Sequence, residues 1–253
     1  MHALFDLGGR VAVVTGGGTG VGRAMAEALA GAGASVVLVG RRLNLLEEGA
    51  RAIESNGGQA APVSADLQDR AELAAVATRV AEPFGAPDIL INAAGMNLRE
   101  SVDKVTRQTW DSTLDLNLAV PFFFARELVS PMRAKGWGRV INIASLQSLR
   151  AFPDSLPYGA AKGGVVQLTR AMAQAWSPAG VTCNAIAPGF FPTALTAPVF
   201  DDPKRAAWAA AQTVIGRNGR AEDLYGITIF LAAPASDYIT GQVIFVDGGF
   251  TAR

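Results

Sequence analysis

The feature that most constrains this chain is its rhythm. Short β-rich runs at residues 11–14, 36–39, 61–63, 89–91, 140–143, 181–186 and 243–246 alternate with helical stretches. Several runs are continuously apolar, as expected of parallel strands covered on both faces. Between them, segments 24–32, 45–55, 71–81 and 114–133 place apolar residues at three- and four-residue spacing. Strand and helix in strict turn imply right-handed βαβ units. The expected fold is therefore α/β: a doubly wound, seven-stranded parallel sheet flanked by helices on both faces. No linker, repeat or low-complexity tract interrupts it, so residues 1–253 read as one domain.

One segment breaks the rhythm. From 188 to 217 the chain carries Phe190, Phe191, Pro188, Pro192, Pro198 and Pro203, with a short helix expected at 206–212. An irregular insertion of this length in a compact domain is usually a lid or substrate loop. The other reading is a surface excursion that only packs.

Composition removes whole classes of function. Half of the 253 residues are hydrophobic and 17% are charged, so a packed core is expected rather than disorder. The net charge is zero, which argues against nucleic acid or an acidic membrane surface as a partner. There is one cysteine, Cys183, and one histidine, His2. An intrachain disulfide, a zinc site and a histidine-based triad are thereby excluded. Cys183 sits in an apolar run and is expected to pack as a small hydrophobe. No apolar run is long enough to span a bilayer and no signal-peptide core precedes the first strand. A cytoplasmic enzyme is the expectation.

Between the first strand and the first helix lies Thr15-Gly16-Gly17-Gly18-Thr19-Gly20-Val21-Gly22. Gly16 would allow the tight turn, Gly20 a close backbone approach to phosphate, and Gly22 close packing of helix on sheet. The helix start adds free N–H groups and a partial positive charge for an anion. This makes the junction a candidate dinucleotide cradle in a Rossmann-type domain, with Gly18, Thr19 and Val21 contributing. The second strand ends in Gly40-Arg41-Arg42, where NAD-preferring domains place a carboxylate for the ribose hydroxyl. With glycine there and two arginines beside it, a 2′-phosphate is accommodated and can be paired. NADP(H) is therefore expected over NAD(H). Asp66, before Leu67, has two open readings: an acceptor for the adenine amino group, or a cap for the helix that follows.

Tyr158 and Lys162 are four residues apart and share one helix face. Ser145 lies just past a strand end, where α/β sheets place ligands. Ser148 competes with it on position alone.

As a set, these motifs resemble the short-chain dehydrogenase/reductase family in its roughly 250-residue form. The resemblance spans nearly the full length. It runs through Thr15–Gly22, Asp66, Asn92-Ala93-Ala94-Gly95, Asn117, Ser145, Tyr158, Lys162, Pro188-Gly189 with Thr193, and Val246-Asp247-Gly248-Gly249. Ala93 departs from the family's Asn-Asn-Ala-Gly. The resemblance implies a tetrad of Asn117, Ser145, Tyr158 and Lys162. Tyr158 would exchange a proton with the substrate oxygen while hydride moves to or from the nicotinamide. Lys162 and the nicotinamide charge would stabilise the phenolate, Ser145 would bind the substrate oxygen, and Asn117 would anchor a water leading to solvent. Asn117 read by itself is a buried, satisfied amide. The family spacing favours Ser145 over Ser148. Asn92, Ala93, Ala94, Gly95, Pro188, Gly189, Phe191 and Thr193 would join the cofactor set.

The substrate pocket is expected to draw on residues 96–99, 147–152 and 190–195 and the loop to Trp208. Arg99, Gln147, Phe152 and Phe190 are its candidate contacts, with Arg150 nearby. The opening Leu4-Phe5-Asp6-Leu7 and the Asn97-Leu98-Arg99 region resemble the gluconate 5-dehydrogenase-like branch of the family. That implies a sugar acid or polyol whose carboxylate pairs with Arg99, or a small ketone. A 3-oxoacyl-thioester reductase and a non-catalytic NADP-binding protein are the alternatives. A flavin or S-adenosylmethionine enzyme is disfavoured by the Ser–Tyr–Lys spacing. Small residues Gly159, Ala160, Ala161, Gly163 and Gly164, with the 243–246 run, point to a homotetramer, as family members commonly pair through these helices.

Overall fold

The computed structural model describes residues 3–253; His2 lies outside the described residues. Seven parallel strands form one sheet: β1 Val11–Thr15, β2 Ser35–Gly40, β3 Gln59–Ser64, β4 Ile89–Asn92, β5 Gly138–Ile143, β6 Val181–Pro188 and β7 Val243–Val246. Their order across the sheet is β3-β2-β1-β4-β5-β6-β7. The expected doubly wound α/β fold is present, with each strand within two residues of its expected start. β3 tolerates Pro62 because it is an edge strand that pairs only with β2.

The helices are α1 Gly20–Gly31, α2 Leu43–Ser55, α3 Leu73–Ala81, α4 Arg107–Leu114, α5 Val120–Lys135, α6 Leu156–Trp176, α7 Ala197–Phe200, α8 Pro203–Gln212 and α9 Tyr225–Ala232. Strand alternation sorts them into two layers. Ala12 and Val14 of β1 face α1, α2 and α9, where Met25, Leu29, Leu46 and Leu231 are buried. Val13 faces α3, α5 and α6 through Val76, Phe124, Leu128 and Met172. Cys183 is fully buried among these, and burial pushes its thiol up to about 12. It is inert packing, as expected.

Two differences from the sequence expectation bear on the site. Segment 114–133 was expected as one helix; instead a π-helical turn, Asp115–Ala119, separates α4 from α5. Pro121 has no N–H for the carbonyl four residues back, that of Asn117, so regular α-helix cannot run through this point. The second is α9, which Thr228 apart is nearly all apolar and offers no amphipathic period. The 188–217 segment holds a 3₁₀ turn at Ala194–Thr196, then α7 and α8.

The strand order reverses between β1 and β4, so the connections that follow them run in opposite directions across the sheet. The main cleft opens there.

Candidate active site

A cleft of about 500 Å³ runs along the carboxyl ends of the strands, from the β1–α1 turn to the 188–217 segment. Its first half is backbone. Gly16 (φ +66°) and Gly20 (φ +57°) adopt left-handed conformations that glycine takes without strain. A Cβ on Gly22 would stand 2.5 Å from the Gly16 carbonyl oxygen, so at this point α1 packs directly against the glycine turn. Thr19 caps α1 in extended conformation with no side-chain hydrogen bond of its own, leaving the first turn's N–H groups facing the cleft. The Thr15 hydroxyl accepts the N–H groups of both Ala93 and Ala94 at 3.0 Å. That clamp holds the loop after β4 against the glycine turn without needing a side chain at Ala93.

The far corner of this half is Gly40, Arg41, Arg42, Leu67 and Asp66. No carboxylate stands at the end of β2. Arg41 extends into solvent with its guanidinium 3.9 Å from Asp66. Asp66 neither caps the next helix nor stands free: it accepts the Gln68 N–H in a local turn, and the 3₁₀ turn at Arg70–Glu72 has no side-chain cap. These residues fit a dinucleotide. The glycine cradle has no room for Cβ atoms, a helix N-terminus faces it, and an arginine stands where a ribose phosphate would need one.

The second half carries the reactive side chains. Ser145, Tyr158, Lys162 and Asn117 all line the cleft. Tyr158 and Lys162 lie one turn apart on α6, as their spacing predicts, with the Lys162 Nζ 5.5 Å from the Tyr158 ring centre. That ammonium donates to the Ile143 carbonyl at the end of β5, at 2.6 Å. Burial pushes Lys162 down to about 8. Burial also pushes the Tyr158 phenol above its ordinary value, opposed by the Ser145 hydroxyl and then by the charge of Arg99. Lys162 holds the Ile143 carbonyl with its ammonium 5.5 Å from the phenol ring, and Arg99 adds a second positive charge on the Tyr158 side.

Ser148 is accounted for elsewhere: its hydroxyl donates to the Lys162 carbonyl at 2.7 Å and accepts the Ser145 N–H. Ser145 faces the cleft on the Tyr158 side, its Oγ accepting the Gln147 N–H. Asn117 sits fully buried in the π turn, its amide donating to the Met96 and Thr113 carbonyls and accepting the Met96 N–H.

Among the expected cofactor residues one does not reach the cleft. Asn92 is buried, its amide spanning the Pro121 carbonyl and Asn142. It ties β4 to β5 and α5 from within the core. Ala93, Ala94, Gly95, Pro188, Gly189, Phe191 and Thr193 do line the cleft. Thr193 spends its hydroxyl on Thr196 and lays its methyl over Gly20.

At the substrate end, Arg99, Gln147, Phe152 and Phe190 line the cleft. Arg99 holds a left-handed backbone (φ +54°), its N–H on Asn97 Oδ1, and reaches across to the Leu195 carbonyl at 3.3 Å. Arg150 is not there: its guanidinium turns outward to the Arg253 carbonyl. Leu98 and Trp208 also stay outside, half exposed, although Trp208 packs edge-on against Phe190.

A parallel α/β sheet with a glycine cradle at its switch point and Ser, Tyr and Lys at the other end of one cleft is the arrangement of a nicotinamide-linked oxidoreductase. The chain belongs to the short-chain dehydrogenase/reductase family. A profile described as Enoyl-(Acyl carrier protein) reductase matches residues 16–251. The chain is 37% identical to the gluconate 5-dehydrogenase of Gluconobacter oxydans, over 98% of this chain and 97% of that one. It is 38% identical to the 2-dehydro-3-deoxy-D-gluconate 5-dehydrogenase of Escherichia coli, over 99% of each. A crystal structure of a gluconate 5-dehydrogenase from Burkholderia cenocepacia in complex with NADP and tartrate superimposes with a TM-score of 0.94 at 37% identity, covering 99% of this chain and 98% of that one.

Proposed function

We propose that this protein is an NADP(H)-dependent oxidoreductase that interconverts a secondary alcohol and a ketone on a sugar acid. The observation that carries the reading is that one cleft holds the glycine cradle, the Arg41 corner, the Ser145–Tyr158–Lys162 group and a cation, Arg99, beside the phenol. Relatives named for gluconate and deoxygluconate dehydrogenation, and one holding NADP, support the substrate class and the cofactor.

The residues divide the work. Gly16 to Gly22, Ala93 to Gly95 and Thr193 would hold the nucleotide, with Arg41 and Arg42 at the ribose phosphate. When bound, the nicotinamide supplies or accepts hydride. Ser145 Oγ and the Tyr158 hydroxyl hold the substrate oxygen, and in reduction Tyr158 gives its proton to that oxygen. Lys162, protonated about half the time near pH 8, restores the proton. Asn117 holds the water leading from Lys162 to solvent through its main chain, since both its amide protons are taken. Arg99 pairs with the substrate carboxylate, which fixes the carbonyl relative to Tyr158. The 188–217 segment serves as the lid of this pocket. The exposed Ala160 and uncrowded Gly163 on α6, with half-buried β7, support a homotetramer. No helix among the described residues is long and apolar enough to cross a membrane, which fits cytoplasmic residence.

The test is NADPH oxidation, followed by absorbance, with 5-keto-gluconate, neutral ketones and a β-ketoacyl ester. Turnover highest on the keto acid, and falling at least about tenfold in kcat/KM for Arg99→Ala, is expected. Preference for the acyl ester would favour the thioester reading, and tight NADPH binding with no turnover the binding-protein reading.

A further inference from the structure

The reaction leaves residues 247–253, which follow β7, without a task. They are nonetheless built tightly against the substrate end. Asp247 folds them: its carboxylate accepts Gly249 N–H at 2.9 Å, Thr251 N–H at 2.9 Å and the Thr251 hydroxyl at 2.7 Å. Gly248 and Gly249 are both left-handed, and a Cβ on Gly249 would stand 2.9 Å from Val214. This double turn delivers Phe250 beneath the cleft.

Phe250 is buried and does not line the cleft. Its ring lies 5.8 Å from Phe190 and 6.1 Å from Phe152, and those two, which do line it, lie 6.0 Å apart. The three rings form a closed triangle with Phe250 at the back. Arg253 then ties both walls. Its guanidinium donates to the Ala211 carbonyl on α8 at 2.8 Å, and its own carbonyl accepts from Arg150, in the loop that carries Ser145 and Phe152. The two walls are far apart in sequence, and this segment bonds to both.

We propose that residues 247–253 are a clasp that sets the spacing of the Phe152 and Phe190 walls, with Phe250 and Arg253 as positioning residues for substrate selectivity. Phe250 acts as the wedge behind the two rings. The Arg150–Arg253–Ala211 link keeps the serine loop and α8 in step. This inference deepens the oxidoreductase reading and rests on it for the reacting substrate, but the clasp itself does not depend on which ketone is reduced.

The experiment compares Phe250→Ala, Phe250→Tyr, Arg150→Ala and Arg253→Ala with the wild type, using whichever ketone the wild type reduces fastest. Phe250→Ala is expected to raise KM for that ketone about tenfold, with kcat changed less than about threefold and KM for NADPH within about twofold. It should also narrow the wild-type discrimination against bulkier ketones, and Phe250→Tyr should restore most of it. Should Phe250→Ala not fold, the two surface arginine variants still decide. Each should speed amide exchange in both 146–152 and 190–212 and leave 16–40 unchanged, a readout that needs no turnover. Faster exchange in one wall only, or ketone KM values within twofold of wild type in folded variants, would overturn the clasp. A wild type that reduces neutral ketones but no sugar acid would overturn the substrate class instead and leave the clasp standing.

Discussion

At the scale of single residues, the site is organised by where two positive charges point. Lys162 is buried and donates to the Ile143 carbonyl one turn from Tyr158, and Arg99 adds positive charge beside the phenol. Burial raises the phenol, so it stays protonated until a substrate oxygen takes its proton. Tyr158→Phe removes that proton and little else. Steady-state assay should show kcat lower by at least about 10³-fold, with NADPH binding, read by fluorescence titration, within about twofold. Lys162 gives a stability prediction of defined sign. Its folded value of about 8 lies below the ordinary 10.5, so the unfolded chain binds more protons between those pH values. Burying the ammonium therefore costs stability below pH 8, and the cost fades as pH rises toward 10.5. Lys162→Met should be inactive yet more stable at pH 7 by on the order of 1–3 kcal/mol. In denaturant melts the gap should close by pH 10; an unchanged gap would show that burial is not its source.

At the scale of elements, what the sequence revealed and what it hid separate by range of contact. The strands were legible because full burial on both faces writes itself as apolar runs, and the glycine turn because glycine takes the φ values found at Gly16 and Gly20 without strain. The hidden features are long-range. Nothing local tells that Arg99 reaches Leu195, that Arg150 turns away to Arg253, or that Asn92 serves the core. The π turn at Asp115–Ala119 had one local signal, Pro121, embedded in an otherwise helical pattern. The junction of β2 and α2 is of the legible kind, and its prediction follows from charge. Gly40 leaves the strand end without a carboxylate, and Arg41 is free to swing from Asp66 to a phosphate. Gly40→Asp with Arg41→Ala should place an acid against the 2′-phosphate and remove its partner. The ratio of kcat/KM for NADPH over NADH should fall by about 100-fold or more, as repulsion and the lost pair add. A ratio that stayed put would show that the arginines only decorate α2.

At the scale of the whole molecule, the sheet has a working end and a holding end. The carboxyl ends of the strands carry the cleft, while the opposite ends carry a charged cluster far from it. Asp88 is nearly buried, accepts the Val11 N–H at 3.1 Å and pairs with Lys135 at 2.9 Å and Arg10 at 3.8 Å. Trp137 lies between Arg10 and Arg139, whose guanidinium carbons stand 3.7 and 4.2 Å from its ring centre. Arg139 is fully buried on β5, while its carboxylate partner, Asp237, is mostly exposed. This asymmetry makes opposite predictions for the two charges. Asp88→Ala strands the Val11 N–H inside the protein and should cost about 1–3 kcal/mol in chemical denaturation. Arg139→Met removes a desolvated charge whose Nε has no partner and leaves Asp237 in water. Its loss should change stability by less than about 1 kcal/mol or raise it. Both variants should keep wild-type KM values for NADPH and ketone, because neither charge touches the cleft. A changed KM in either would mean that the two ends of the sheet are mechanically coupled, and that strand positions at the working end depend on charges at the other.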